Sequence, residues 1–371
     1  MSSQVPKLGQ AKTVARALAG LLSLLTLLGG SPAMAQFNEV DDLAAEQAKE
    51  KQELEKMKQE LRSIKGEVND AMRSMSELTQ TMQERPMAGA GQAVHEVHLF
   101  AKEKDIDLGG GKKAHCLTYN GQVPGPEVHL KEGEPTRIVL HNELTVPTSL
   151  HFHGLVLPHT VDGLPRAGTA ATKDSQPKSE RYLRPGEIYA YQFIPTVQAS
   201  GYYHPQVMHL KQRDLGLYGA VIVHPRLNSR SPDQELSLFI NKVTVAAGKE
   251  SGQKAQDVLV INGKTAPHIP AIETSPGKRL RLHIFNLSDQ AVPLHLSGHR
   301  LEVVASNGSD PLEPHVIRDT VNLNPSDRVV VDILADNPGV WSLASDRPNQ
   351  VSDKEGNFPS GLAVVFKYKV Q

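Results

Sequence analysis

Apolar residues in the N-terminal part of the chain fall at Leu54, Met57, Leu61, Ile64, Val68, Ala71, Met75, Leu78 and Met82, alternately three and four positions apart. The positions between them are mostly polar, and no proline occurs from residue 40 to residue 85. This is an a/d heptad seam with mixed charges beside it, and it predicts a coiled-coil helix within residues 36–86. A stripe this narrow cannot be buried by one isolated chain, so it implies self-association. Leu54 and Leu61 at a, with Ile64 at d, lean away from dimers. The alternative is a lone helix lying on the globular part.

After the small-residue hinge at 87–93 the period changes. Short runs rich in Val, Ile and Leu alternate with Pro and Gly: Arg137–Asn142, Leu150–Leu157, Ile188–Ile194, Gly219–His224, Leu236–Asn241, Val258–Ile261, Arg279–Asn286, Leu301–Ser306, Arg328–Leu334 and Leu362–Tyr368. Many short strands separated by turn signals predict β-sandwiches or barrels. Two domains of ordinary size fit, 94–226 and 232–371, joined through Pro225–Pro232. The halves echo each other. Tyr119-Asn-Gly-Gln-Val-Pro is matched by Ile261-Asn-Gly-Lys-Thr-Ala-Pro, and Leu150-His-Phe-His-Gly154 by Leu294-His-Leu-Ser-Gly298. That is an internal duplication.

Composition narrows the function classes. Net charge is -1, so no nucleic-acid footprint is expected. Lys7, Lys12 and Arg16 precede an apolar stretch, Ala17–Leu28, and Ser31-Pro-Ala-Met-Ala35 offers a small-residue cleavage site. Residues 1–35 therefore read as a secretory signal. The apolar stretch is short of the ~20 residues a bilayer span needs, so no membrane span is expected after cleavage. The expected location is periplasmic or otherwise exported. Cys116 is the only cysteine, so no internal disulfide is expected.

Sixteen histidines raise the prospect of metal chemistry. His151 and His153 flank Phe152 on a strand-like run, and strand alternation places both on one face. Neutral imidazole suits copper, zinc, iron or nickel. No Ser/His/Asp arrangement, phosphate loop or cysteine-based zinc pattern stands out. Asn286-Leu-Ser288 and Asn307-Gly-Ser309 match glycosylation sequons, a frequent chance pattern.

Over roughly residues 94–370 the chain resembles the multicopper oxidases, specifically their two-domain members. The resemblance rests on Tyr119–Pro126, His151–Gly154, Val161-Asp-Gly163, Gly201-Tyr-Tyr-His-Pro205, Gly216–Val223 and Pro293–Gly298. It implies an all-β chain of two cupredoxin-like Greek-key sandwiches, here preceded by the α-helical coiled coil, which lies outside the resemblance. It makes His151 a type 2 copper ligand, and His153 and His204 type 3 ligands. His295 becomes a second type 2 ligand. The family pattern is otherwise eroded. Gln206 and Ser297 stand where type 3 ligands are expected, and Val292 where a type 1 ligand is expected. The place of the last motif, Ser342–Asn349, holds neither His nor Cys.

A blue type 1 site needs a cysteine thiolate with two histidines. Cys116 lies far in sequence from every copper motif, so no type 1 copper is expected and laccase-type turnover should fail. What remains is one type 2-like copper, about one per chain, held by His151, His153, His204 and His295. In trimeric two-domain relatives such a site lies between the first domain of one subunit and the second domain of the next. A coiled coil suits that homotrimer. The layout is similar to copper nitrite reductases in architecture only. The roles this implies are copper handling or a limited redox reaction. Two other readings stand beside it: a copper-free scaffold binding envelope proteins, like the family's cell-division member, and an oxidase with an unusual electron route. His209, Met208, His159 and His299 are lesser candidates, His209 as a substitute for the imidazole lost at Gln206. His95, His98, His115, His129 and His141 read as ordinary surface or strand residues. Asp162 reads as a turn residue or as a group orienting a loop near the site.

Overall fold

The computed structural model describes residues 49, 51–68, 70, 93–158, 161–163, 182–206, 209–227, 231–245, 255–307, 315–353 and 356–369. The expected secretory signal (1–35), the expected coiled coil beyond residue 70, most of the hinge, Met208 and His159 lie outside them. The chain divides into two compact units, 1–75 and 76–371.

In the first unit, residues 51–68 form one helix, α1. Its seam positions Leu54, Met57, Leu61, Ile64 and Val68 are all exposed, Leu61 at 68%. The expected helix is present over this stretch. Among the described residues no second helix pairs with it, so the coiled coil itself is a proposal. No described helix is long and apolar enough to cross a membrane.

Among the described residues the second unit is all-β, with two short helices, α2 (His209–Asp214) and α3 (Pro348–Val351). In the first sandwich, β1 (His95–Gly109), β2 (Lys112–Tyr119), β4 (Thr136–Asn142) and β6 (Ile188–Phe193) form a sheet in the order β2-β1-β4-β6. It faces a second sheet of β3 (Val128–Lys131), β5 (His151–His153), β7 (Ala199–His204) and β8 (Gly219–His224), in the order β3-β8-β7-β5. In the second sandwich, β9 (Gln234–Val245), β10 (Gln256–Ile261), β12 (Arg279–Asn286), β14 (Leu301–Ser306), β15 (Val316–Arg318) and β17 (Arg328–Leu334) run in the order β10-β9-β12-β17-β14-β15. Opposite them, β11 (Ile272–Thr274), β13 (Val292–Leu296), β16 (Thr320–Leu323), β18 (Val340–Ser345) and β19 (Ala363–Tyr368) run in the order β11-β19-β18-β13-β16.

The duplication is visible atom by atom. Asn120 and Asn262 both adopt positive φ, as do Gly121 and Gly263 after them, the conformation a tight Asn-Gly turn demands. Each asparagine side chain accepts a backbone N–H from the neighbouring strand, Phe100 N at 2.7 Å and Phe239 N at 2.8 Å. Asn142 and Asn286 repeat the pattern deeper in. Their amides donate to loop carbonyls four residues on, those of Val146 and Gln290.

Each sandwich has its own core, the first around Phe152, Tyr191 and Tyr203, the second around Leu282, Leu343 and Phe366. A third cluster joins them: Tyr202, Tyr218 and Ile222 from the first sandwich pack on Phe239, Val260 and Phe285 from the second. Fully burying one such side chain contributes roughly 1.5–3 kcal/mol. The halves are therefore welded rather than strung on a flexible linker.

One expectation needs correction. Leu150–Leu157 is not one strand: only His151–His153 pairs, because Gly154 at φ +94° turns the chain. Conversely, the long β1–β2 ribbon was not anticipated from the apolar pattern. Its Lys, Glu and Asp residues at 102–107 break the apolar run, although Leu99, Ala101 and Leu108 are buried.

Candidate metal centre

The antiparallel pairing of β5 with β7 sets His204 directly across from His151, and Tyr202 across from His153. Alternation leaves His151 and His153 on one face. Cross-strand partners share a face too, so His204 joins them. One ligand atom of each of these three imidazoles lies within 4.8 Å of the other two. His204 is 3% exposed.

The hydrogen bonds fix which nitrogen each ring presents. A carbonyl only accepts, so His204 Nδ1 carries the proton it donates to Pro205 O at 2.9 Å. Its Nε2 lone pair then points into the cluster, buried and without a hydrogen-bond partner. His151 Nδ1 likewise donates to Asp162 O at 2.9 Å, with the Asp162 carboxylate 3.3 Å away. Its Nε2 is presented in the same way. A carbonyl or carboxylate behind the imidazole is the support that metal-ligating histidines use. Asp162 can reach His151 because Gly163 lets the loop press close: a Cβ there would collide with Leu150 O.

Charge in the cluster is uneven. Burial, together with His151 and other neighbours, drives the His204 pKa well below the usual imidazole value. Burial, with Arg328, His151 and Arg213, pulls His153 down to about 4. Burial opposes charge on His151 as well, but the Asp162 hydrogen bonds and carboxylate raise its pKa above the ordinary value. The centre thus holds two neutral imidazoles with lone pairs available for a cation. An orphaned buried nitrogen costs free energy unless something occupies it. A copper ion fits this donor set of neutral imidazoles.

Three neighbours were not foreseen from the sequence. Tyr202 stacks on His153, centroids 4.6 Å apart and planes 13° apart, and on His204 at 5.1 Å. Arg213 on α2 and Arg328 on β17 supply the positive charge felt by His153. Arg328 comes from the other sandwich, and a Cβ at Gly154 would sit 3.0 Å from its guanidinium. Only Tyr202 stood within a motif, Gly201-Tyr-Tyr-His; the arginines carry no local signal.

His295 does not join the three imidazoles within one chain. It lies on β13 and lines a cavity of about 620 Å³ with His299, Arg300 and Arg318. Its Nδ1 donates to Asp319 O at 2.9 Å, so it too presents Nε2. Gln206 Oε1 is buried without a partner, and Gln206 N donates to Ser149 Oγ. Val292 is buried in the second core. His299 sits in the turn before β14 rather than on that strand, with Nε2 2.8 Å from the Tyr368 hydroxyl. His209 begins α2. Cys116 packs in the cluster between the sandwiches, and burial, with Asp105, pushes its thiol up to about 11. A thiol held protonated is not a metal ligand.

Comparison with known proteins matches both sandwiches. Two family models, each described as multicopper oxidase, match residues 101–228 and 240–346. Copper resistance protein A of Pseudomonas syringae pv. tomato is 25% identical over 311 residues, covering 67% of this chain and 49% of that protein. A probable nitrite reductase–hydroxylamine oxidoreductase fusion protein of Kuenenia stuttgartiensis is 29% identical over 265 residues, covering 68% of this chain and 29% of that one. The chain thus spans half or less of the length of these two relatives. Among solved structures, the blue copper oxidase of Nitrosomonas europaea superposes with a TM-score of 0.63 at 24% identity, covering 74% of this chain and 86% of that one.

Proposed function

Because this chain belongs to the multicopper oxidase family and lacks its type 1 copper site, we propose that it is an exported copper-binding protein with one type 2-like centre. The observation that carries this reading is His204 Nε2, buried, unpartnered and converging with His151 and His153. The fourth ligand is His295, supplied by a neighbouring copy in a homotrimer. Its tautomer matches that of His151 and His204, and the exposed seam of α1 supports assembly. Bound copper would supply a redox-active Lewis acid. Asp162 and the Pro205 carbonyl orient the imidazoles, while Tyr202 stacks on His153 and His204 and covers that side of the site. The role is copper handling or a limited redox reaction, in the periplasm. The chain is organised as a signal (1–35), a coiled coil (36–86), a hinge (87–93) and two domains (94–226 and 232–371).

The protein, loaded with Cu(II) and dialysed, should retain about one copper per chain with a type 2 EPR signal. The signal should vanish in His151→Ala and weaken in His295→Ala. No retained copper in the unmutated protein would sink the proposal. Sedimentation with and without residues 36–86 tests the trimer. The second reading is a copper-free scaffold binding envelope proteins. It is favoured by the exposed α1 seam, and copper-free protein that still assembles would support it.

A further inference from the structure

A second group of metal-binding side chains lies at the seam between the sandwiches and shares no residue with the first. His129 on β3 and His224 on β8 point outward from the first sandwich, and Glu235 on β9 meets them from the second. One ligand atom of each lies within 4.8 Å of the other two. His129 Nδ1 and His224 Nε2 are 2.9 Å apart, and Glu235 Oε2 is 3.8 Å from the same His224 nitrogen. His129 reads in the sequence as an ordinary strand residue; the fold gives it two partners about a hundred positions away.

We propose that His129, His224 and Glu235 form a site for a divalent first-row transition-metal ion that ties the two sandwiches together. Two imidazoles and a carboxylate are a common three-ligand set for Zn(II), with water completing the tetrahedron. Bond lengths of about 2.0–2.1 Å put two nitrogens on a tetrahedral ion roughly 3.3 Å apart. The rings therefore need to part by only a few tenths of an ångström.

The carboxylate is held in place before any ion arrives. Ser200 donates to His283 Nδ1 at 2.7 Å, and His283 Nε2 donates to Glu235 Oε1 at 2.8 Å. His283 is buried, 3% exposed. This relay engages one oxygen of Glu235 and turns the other toward His224. Behind His129, the Glu127 carboxylate stands 3.9 Å from Nε2, on the side where the ring proton belongs when Nδ1 binds an ion. Support of this kind behind the ligands is how metal sites set ring orientation and basicity.

The ion binds the folded chain, where both sandwiches present the ligands, and not the unfolded chain, so it should raise the melting temperature. The test uses the full chain, Zn(II) as the probe, and calorimetry with thermal unfolding. Unmutated protein should bind an equivalent of Zn(II) that survives in His151→Ala. His129→Ala, a change at an exposed position that spares the fold, should weaken that equivalent by more than about tenfold, the size that losing even an outer-shell partner brings. In the His151→Ala background, the Zn(II)-dependent rise in melting temperature should disappear with it. His224→Ala should do the same. Zn(II) affinity unchanged in folded His129→Ala and His224→Ala chains would overturn the proposal. So would a Zn(II)-dependent thermal rise that persists when both changes are made in the His151→Ala background, since the rise would then come from elsewhere than His129, His224 and Glu235.

Discussion

Leu150-His-Phe-His-Gly154 in the first sandwich corresponds to Leu294-His-Leu-Ser-Gly298 in the second, and the two places have diverged in different ways. The backbone is shared: both sandwiches keep the Asn-Gly turn and the asparagine that ties a loop to the sheet. The chemistry is not. In the first, three imidazoles converge and one buried nitrogen is orphaned. In the second, His295 is the one imidazole left in the matching motif, and it faces an open cavity. A duplicated β-scaffold rests on turns and buried apolar rows, which tolerate loss of the metal ligands. Each lost ligand, by contrast, leaves fewer donors to hold an ion. The second sandwich thus keeps the frame and cannot build a centre alone.

The sharpest way to break this comparison is to remove a ligand from the first place. His151→Ala should lower copper affinity by about a hundredfold or more, beyond the 10–100-fold range for outer-shell partners. The equivalent change, His295→Ala, should do so only where chains assemble. Copper titration of both variants, with and without residues 36–86, decides it.

Acid should weaken the first sandwich more than the second. His153 titrates near 4 in the folded chain, and His204 is also depressed, against about 6.5 when unfolded. The unfolded chain therefore takes up protons first, and folding stability falls as pH drops from about 6.5 toward 4. Urea midpoints across that window, read by tyrosine fluorescence for the first sandwich and by Trp341 for the second, test the direction. A flat profile for the metal-free chain would contradict it.

The shared frame makes a symmetric prediction. Asn120→Ala and Asn262→Ala each force alanine to positive φ and strip a strand N–H of its acceptor, so each should cost ~1–3 kcal/mol. Chemical denaturation should give similar losses; a several-fold difference would show that the two turns are not equivalent. The smallest effect is expected for Asp162→Asn. The backbone carbonyl still holds His151 Nδ1, so copper affinity should fall by only about tenfold or less. The His151 pKa, followed by NMR in metal-free protein, should drop because the carboxylate is gone.

Some of this was legible in the residues. Alternation put His151 and His153 together, and the echoed turns announced two sandwiches. His204 was legible only through Gly201-Tyr-Tyr-His-Pro205, because its distance from His151 depends on strand pairing and not on spacing. The β1–β2 ribbon is hidden by its charges, and the apolar run Leu150–Leu157 overextends the strand because only the fold shows Gly154 at positive φ, turning the chain.

The sequence by itself determined the elements: heptad spacing made α1 helical, and short apolar runs between Pro and Gly made strands. Set against the family's motifs, it also predicted that a type 1 centre is missing, since the single cysteine lies outside them and the last motif holds neither His nor Cys. Only the tertiary structure decided which polar groups meet. Register across β5 and β7 aims the orphaned nitrogen of His204 at His151, and docking of β9 against β3 and β8 brings Glu235 to His129 and His224. Local chemistry is written in neighbours along the chain, whereas a metal site is written in neighbours in space.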